Sequence, residues 1–161
     1  MFFINRLATP LAKGYIFTTI EELRKEWLFT VAIKPHGINA LWFSTIIDMK
    51  TKSGDIVCKI SFKTASTKLA IFAAVNGTSE YIPSMTSYDS LPLGQYSTIK
   101  FYHIYDKVRE AYVIEVVVNG ILYGTTVNTA PKTFQDVEVY TSSEENPPSD
   151  ADIKELYILN I

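Results

Sequence analysis

The sequence contains a single cysteine, Cys58, so no disulfide can form within the chain. The fold must therefore be held together by packing and hydrogen bonds. Cys58 alternates with Ile56, Ile60 and Phe62, which predicts that the four side chains share one face of a strand. We interpret Cys58 as a small buried hydrophobic residue, because no neighbouring histidine or helix N-terminus would make its thiol reactive.

Long apolar runs and basic clusters are also missing from the sequence. No stretch approaches the roughly 20 apolar residues that a transmembrane helix needs. The first residues, Met1–Arg6, lack the basic and apolar regions of a signal peptide. Lysine and arginine occur singly and the net charge is −2. We therefore do not expect nucleic acid as a partner, since binding it requires a basic surface that neutralises phosphates.

Motifs for catalysis and for metal binding are missing as well. The two histidines, His36 and His103, and Cys58 have no metal-ligand spacing. No glycine-rich phosphate loop and no Gly-x-Ser-x-Gly motif occurs. Asp136 and Glu138 are two residues apart and could act as acid and base if buried together, whereas on a solvated sheet face they only add charge. We predict that the protein is not an enzyme.

What the sequence does have is two-residue alternation of apolar, aromatic and β-branched residues from Trp27 onward. Aromatic residues make up 13% of the chain, which favours half-buried strands. Asn119-Gly120 is typical of a two-residue hairpin turn. We predict a weaker strand and loop within Thr78–Ser90 and strands at Glu26–Lys34, Ala40–Met49, Ile56–Lys63, Lys68–Val75, Tyr96–Tyr105, Ala111–Val118, Ile121–Val127, Phe134–Tyr140 and Glu155–Ile161.

These segments predict an all-β fold, a two-sheet antiparallel β-sandwich of the jelly-roll type, because about ten short strands are separated by regularly spaced turns. No shift in composition divides the chain, so we predict one domain over residues 1–161. Residues 1–25 are predicted to add an N-terminal strand and a short helical turn that pack onto the sandwich. The helical turn is predicted at Thr19–Lys25, where Thr18 or Thr19 can cap and Glu22 is near the capping-box position.

Several of these segments resemble the laminin-G/pentraxin-like branch of the concanavalin A-like jelly rolls. In that family the pattern leucine-x-leucine-glycine leads into a long strand, and a later strand often ends in valine-asparagine-glycine. Here Tyr96 stands where the family more often has tryptophan. The resemblance extends from Trp27 to the end of the chain and rests on Trp27–Ile33, Trp42–Ile47, Leu91–Lys100, Val113–Gly120, Phe134–Tyr140 and Ile153–Ile158.

The resemblance implies a recognition or adhesion role, because this superfamily holds lectins, adhesion modules and glycosidases. The carboxylate strand of its glycosidases, Glu-x-Asp-x-x-Glu, is missing here, and so is the galectin pattern of His, Asn, Arg and Trp. We predict an extracellular, mature or excised domain that binds a glycan or an extracellular protein. The alternatives are a self-assembling structural or matrix protein that associates through sheet faces or edges, with homo-oligomers, and a glycosidase.

Loops of a rigid β scaffold are where binding residues concentrate. Tyr81, Met85 and Tyr88 form an aromatic stretch rich in hydroxyl groups, and His36 and Asn39 lie in another turn. A tyrosine ring offers a flat apolar face with a polar edge, which suits the C–H face of a sugar. We therefore predict these five residues as ligand-binding.

No cofactor is required by this prediction, but the acidic connection before the last strand offers hard oxygen ligands of the kind that calcium prefers. The candidate calcium ligands are Glu144, Glu145, Asp150 and Asp152.

Overall fold

The protein forms a sandwich of two antiparallel sheets, as predicted. The structure, a computed structural model, describes residues 2–5, 8–38, 43–86, 90–143, 145 and 147–161. Within these residues no helix could span a membrane. The thirteen strands are β1 (Phe2–Asn5), β2 (Thr9–Pro10), β3 (Ile16–Leu23), β4 (Trp27–Pro35), β5 (Ser44–Thr51), β6 (Ile56–Phe62), β7 (Leu69–Val75), β8 (Thr78–Ile82), β9 (Ser97–Asp106), β10 (Ala111–Val118), β11 (Ile121–Asn128), β12 (Phe134–Tyr140) and β13 (Ala151–Asn160).

The two sheets are built from strands that are far apart in the sequence. The seven-stranded sheet has the order β1-β13-β4-β9-β10-β11, with β2 beside β13. The six-stranded sheet has the order β3-β12-β5-β6-β7-β8. The last two strands of the chain, β12 and β13, are therefore interior strands, each with an early strand on either side.

The predicted strands agree well with the observed ones wherever both can be compared. Ala111–Val118 and Phe134–Tyr140 have the predicted ends. The last strand begins at Ala151, four residues earlier than predicted. Positions 40–42 of the predicted strand Ala40–Met49 lie outside the described residues, and its remainder corresponds to β5.

The predicted helical turn at Thr19–Lys25 is wrong, because Ile16–Leu23 forms the edge strand β3. β3 pairs antiparallel with β12, placing Ile20 opposite Val137. Ile20 is fully buried in the core. The β-branched residues of this segment favour a strand, and pairing with β12 supplies hydrogen bonds that a helix of two turns cannot match.

The core lies between the two sheets and is entirely closed by side-chain packing. Trp27 of β4 stacks on Phe101 of β9, with ring centres 5.1 Å apart and planes at 2°. Cys58 is fully buried, as predicted, and burial raises the pKa of its thiol, which keeps it protonated. Ile56 departs from the predicted face: the register between β5 and β6 shifts near Met49, and Ile56 is only partly buried, on the outer side.

His103 is buried at one end of this core. Its ring lies 6.1 Å from the Trp27 ring and 5.7 Å from the Tyr112 ring, measured between centres. Its Nε2 atom lies 2.9 Å from Nδ2 of Asn128. Because the amide nitrogen only donates, this contact requires an unprotonated Nε2. Burial lowers the pKa of His103 below its ordinary 6.5, opposed by the backbone of Lys25 and the charge of Glu26.

We predict that His103 makes the protein less stable in mild acid. Below the unfolded pKa of 6.5 the unfolded chain binds a proton that the folded chain resists, so stability is lost as the pH falls toward the folded pKa. Urea unfolding at about pH 7.5 and about pH 5.5 should show a smaller loss for His103→Gln than for the wild type. His36→Gln, at the exposed histidine, is the control and should keep the full loss; equal losses in all three proteins would contradict the prediction.

Candidate functional site

The outer side of the six-stranded sheet carries a row of side chains in register across five strands. Pairing places Tyr140 of β12 opposite Asp48 of β5, Asp48 opposite Lys59 of β6, Lys59 opposite Phe72 of β7, and Phe72 opposite Tyr81 of β8. Directly paired residues project from the same side of a sheet. The row therefore has two opposite charges at its centre and aromatic rings at both ends.

Phe72 is the centre of an aromatic cluster at one end of this row. Its ring meets Phe43 edge to face, with centres 6.3 Å apart, and Tyr81 at a tilt, with centres 5.6 Å apart. Phe43 and Tyr81 are each 40% exposed. The ammonium of Lys63 lies 5.5 Å from the centre of the Tyr81 ring. Rings that hold each other in place while remaining accessible provide a rigid apolar contact surface.

A pocket of 280 Å³ opens beside the aromatic cluster. This volume is near the lower end of the roughly 300–1,000 Å³ of most ligand pockets, so it suits one small group. The lining combines apolar rings with a cation and hydroxyl groups: Phe43, Ile56, Lys59, Ser61, Phe72 and Ser79.

In the described part of the chain, six buried polar side-chain atoms have no hydrogen-bond partner, three on β5 and β6 of this sheet and three on the other sheet. Those on β5 and β6 are Oγ1 of Thr45, Oδ1 of Asp48 and Oγ of Ser61. Thr45 and Ser61 are opposite each other on β5 and β6, and both are fully buried. A buried polar group left unpaired costs about 1–3 kcal/mol. Ser61 is also one of the residues that line the pocket.

Asp48 is 4% exposed although it lies on the outer side. The connection between β12 and β13 returns along the start of β5, where the backbone nitrogen of Thr45 donates to the oxygen of Pro147 (3.1 Å). Burial raises the pKa of Asp48; Lys59 and Lys50 oppose this shift, and the charge of Glu145 adds to it. A shifted carboxyl group beside a pocket is a mark of a functional site.

We predict that Asp48→Asn stabilises the protein at neutral pH. Because the pKa of Asp48 is raised in the folded protein, the unfolded chain loses this proton more readily than the folded protein does. The free energy of unfolding therefore falls as the pH rises above the ordinary pKa of 3.8. Denaturant unfolding should show a gain for the variant at about pH 7 that shrinks toward about pH 3.5. A less stable variant at neutral pH would mean that favourable contacts, rather than burial, dominate at Asp48.

In a larger pocket of 640 Å³, the polar side chains of Tyr123 and Asn119 are already engaged in hydrogen bonds within the protein. The hydroxyl of Tyr123 donates to the carbonyl of Leu69 (3.0 Å). The side chain of Asn119 accepts from the nitrogen of Thr98 (2.9 Å) and donates to Oγ of Ser97 (3.2 Å). The other residues that line this larger pocket, besides Leu69, Asn119 and Tyr123, are Lys68, Thr86, Ser90, Leu91, Pro92, Val118 and Ile121. We therefore place the candidate site at the smaller pocket.

The predicted binding residues are separated in the structure. Tyr81 lies in the row described above. Met85 is 64% exposed beside the larger pocket, and its backbone nitrogen donates to the oxygen of Tyr123 (2.6 Å). His36 follows β4 of the other sheet, and its Nε2 lies 2.8 Å from Oδ2 of Asp152. Two predicted residues lie outside the described part of the chain: Asn39 and Tyr88.

The candidate calcium ligands do not form a metal site in the part that the structure describes. There, no three His, Cys, Asp or Glu side chains are grouped so that they could hold a metal ion. Asp152 pairs with Lys34 at 3.8 Å. Glu145 and Asp150 are exposed, and Glu144 lies outside the described residues. A role of these residues in calcium binding stays a prediction.

The carboxylates Asp136 and Glu138 have different partners. Asp136 pairs with Lys52 at 3.7 Å, and its side chain is 56% exposed. Oε2 of Glu138 accepts a hydrogen bond from the Tyr140 hydroxyl (2.7 Å). Both residues lie on β12, and because each is engaged with a different neighbouring side chain we assign the pair no chemistry.

The sequence did contain a signal for the residues that were not predicted. Asp48 and Lys59 each interrupt a segment that is otherwise apolar and was predicted as a strand. A charged residue inside such a segment must reach the outer side of its sheet or find a buried partner. The positions of these charges could therefore have indicated the outer face, but not that they lie opposite each other.

The chain matches no protein-family model and no curated protein sequence. Solved structures are similar to it in fold. The galectin LEC-6 of Caenorhabditis elegans has a TM-score of 0.56 at 11% identity, covering 98% of this chain and 94% of that one. CBM40 of the Ruminococcus gnavus IT-sialidase, bound to α2,3-sialyllactose, has a TM-score of 0.56 at 13% identity, covering 86% and 77%.

An alginate lyase from Alteromonas sp. 272 is also similar, with a TM-score of 0.52 at 8% identity, covering 83% of this chain and 71% of that one. A galectin, a carbohydrate-binding module and a lyase thus share one architecture. The chain has a concanavalin A-like jelly-roll fold, in agreement with the resemblance found in its sequence, while its place in the laminin-G/pentraxin-like branch stays a prediction.

Proposed function

We propose that this protein is a lectin-like domain that binds a glycan on the outer face of the six-stranded sheet. The observation that carries the proposal is the aromatic cluster around Phe72, beside a pocket whose lining includes Ser61 and Lys59. A sugar ring presents an apolar C–H face and a rim of hydroxyl groups. Aromatic rings can pack against the C–H face, and polar groups without a partner can form hydrogen bonds with the hydroxyl groups.

The fold supports this proposal at the level of carbohydrate binding, since a galectin and a carbohydrate-binding module share it. Fold alone does not decide function, because an alginate lyase shares it as well. The choice of a binding role over an enzymatic one therefore rests on the site, where apolar rings and unpaired hydroxyl groups favour holding a sugar. An extracellular location, which a role in recognition or adhesion would need, is part of the same proposal.

We predict that Phe72→Ala weakens glycan binding at least tenfold, which is about 1.4 kcal/mol, because it removes the ring on which Phe43 and Tyr81 pack. Binding is first sought on a glycan array and the affinity is then measured by calorimetry. Tyr81→Ala, at the sheet edge, should also weaken binding, and both variants should keep a cooperative thermal transition.

The matched control is Tyr105→Ala, which removes a tyrosine that is 42% exposed on the seven-stranded sheet. It should leave the affinity unchanged. A wild-type protein that binds no glycan on a broad array contradicts the proposed function. Equal affinities for all three variants and the wild type would contradict the location of the site.

A second candidate function is self-association through the outer face of the seven-stranded sheet. Register there aligns Leu159 of β13, Leu28 of β4 and Tyr102 of β9, followed by Glu115 of β10 and Thr125 of β11. The first three residues of this row are apolar or aromatic, and exposed apolar patches mark association surfaces. A structural or matrix protein would use such a face to form homo-oligomers.

Light scattering over a range of protein concentrations tests this second candidate. If the face associates, the mean mass should rise with concentration, and Leu28→Lys should keep the protein monomeric by placing a charge at the centre of the row. A constant monomer mass at all concentrations would contradict self-association.

A further inference from the structure

Lys59 occupies an unusual position for a lysine, at the centre of a six-stranded sheet. β6 has two strands on one side and three on the other, counting from β7 and from β5 outward. Lys59 is partly buried and lines the 280 Å³ pocket. Its ammonium forms no hydrogen bond or ion pair with any residue that the structure describes. Removing a lysine ammonium from water without giving it a partner lowers the stability of the folded protein.

Lys59 brings a positive charge to the lining of the pocket. Asp48 is its direct neighbour across β5 but is not within ion-pair distance in the structure, and burial raises the pKa of Asp48. Lys50 follows on the same strand as Asp48, and the ammonium of Lys63 lies over the Tyr81 ring. Asp48 is not among the residues that line the pocket, whereas Lys59 is.

Ser61 is the second polar residue of β6 in the lining of this pocket. Ser61 lies two residues after Lys59 on β6, hence on the same side of the sheet. It is fully buried, and its Oγ has no hydrogen-bond partner among the described residues. An ammonium and a hydroxyl that are adjacent on one strand can both donate to the two oxygens of one carboxylate.

We infer that the pocket recognises a sugar that carries a carboxylate, with Lys59 and Ser61 donating to the carboxylate and the Phe43 and Phe72 rings contacting the C–H face. This inference rests on the proposed function and adds the class of ligand. Uronic acids and sialic acids both present this chemistry. The pocket volume suits one acidic ring, with the rest of the glycan lying along the row toward Tyr81.

The experiment uses pairs of probes that differ in charge. Trigalacturonic acid is compared with its methyl ester, and sialyllactose with lactose, by calorimetry on the full chain. At least one acidic probe should bind ten or more times as tightly as its neutral counterpart, and that preference should shrink as salt screens the charge. The first pair tests uronic acids and the second tests sialic acids, so the two sources are distinguished.

Variants then test which residues cause the preference for the acidic probe. Lys59→Met should abolish the preference for the acidic probe while neutral binding remains, Lys59→Arg should retain most of it, and Ser61→Ala should reduce it. Lys100→Met is the matched control, since it removes an exposed lysine from β9 of the other sheet. It changes the net charge equally and should leave the preference intact.

Three outcomes overturn the inference. The first is equal binding of neutral and acidic probes. The second is binding of neutral glycans without binding of either acidic probe. The third is a Lys59→Met variant that behaves like Lys100→Met. In each case the proposed glycan binding stands, because it is tested by the binding of any glycan to the wild type and by the effect of Phe72→Ala. If no glycan of either kind binds to the wild type, the proposed function and the inference fail together.

Discussion

Antiparallel register between β12, β5, β6, β7 and β8 is the constraint on which the candidate site depends. Each strand buries one side against the other sheet, so its remaining side chains are fixed on the outer side. A slip of one residue in β6 would exchange Lys59 and Ser61 for Cys58 and Ile60 on that side. The apolar core therefore determines the row on the outer face as firmly as it determines the fold.

At the centre of this sheet, the polar residues of the candidate site and of its surroundings lower the stability of the fold. Thr45, Asp48 and Ser61 hold buried polar atoms without partners, and each lowers the stability of a chain that has no disulfide. The core offsets this through fully buried apolar residues from both sheets, including Phe29, Phe101 and Ile60. A sheet selected only for stability would place hydrogen-bonded or apolar side chains at these three positions.

Alternation along single strands was enough to predict most of the fold. The hairpin of β10 and β11 is local, and its Asn119-Gly120 turn and both strands were found from the sequence. β3 was missed because its partner, β12, lies more than a hundred residues later, as the pairing of Ile20 with Val137 shows. Local capping signals at Thr19 pointed to a helix, and only the distant strand overrides them.

The candidate site was less predictable for the same reason. Tyr81 was predicted because an aromatic residue near a loop is a candidate binding residue from the sequence alone. That Asp48 and Lys59 lie opposite each other follows only from the pairing of β5 with β6 and its observed shifts in register. Likewise, the contact of Phe43 with the Phe72 ring is seen only in the folded structure. No pattern within one segment contains these relations.

The interior positions of β12 and β13 also have a consequence for how the molecule is made. The six-stranded sheet cannot be completed until β12 has left the ribosome, and the seven-stranded sheet not until β13 has, because β12 separates β3 from β5 and β13 separates β1 from β4. Until then the nascent chain presents β4 and β5 with one open edge each, and open edges invite pairing with other chains. Insertion of β12 and then of β13 closes the two sheets, so the yield of folded protein in a cell depends on how long the edges of β4 and β5 stay unpaired.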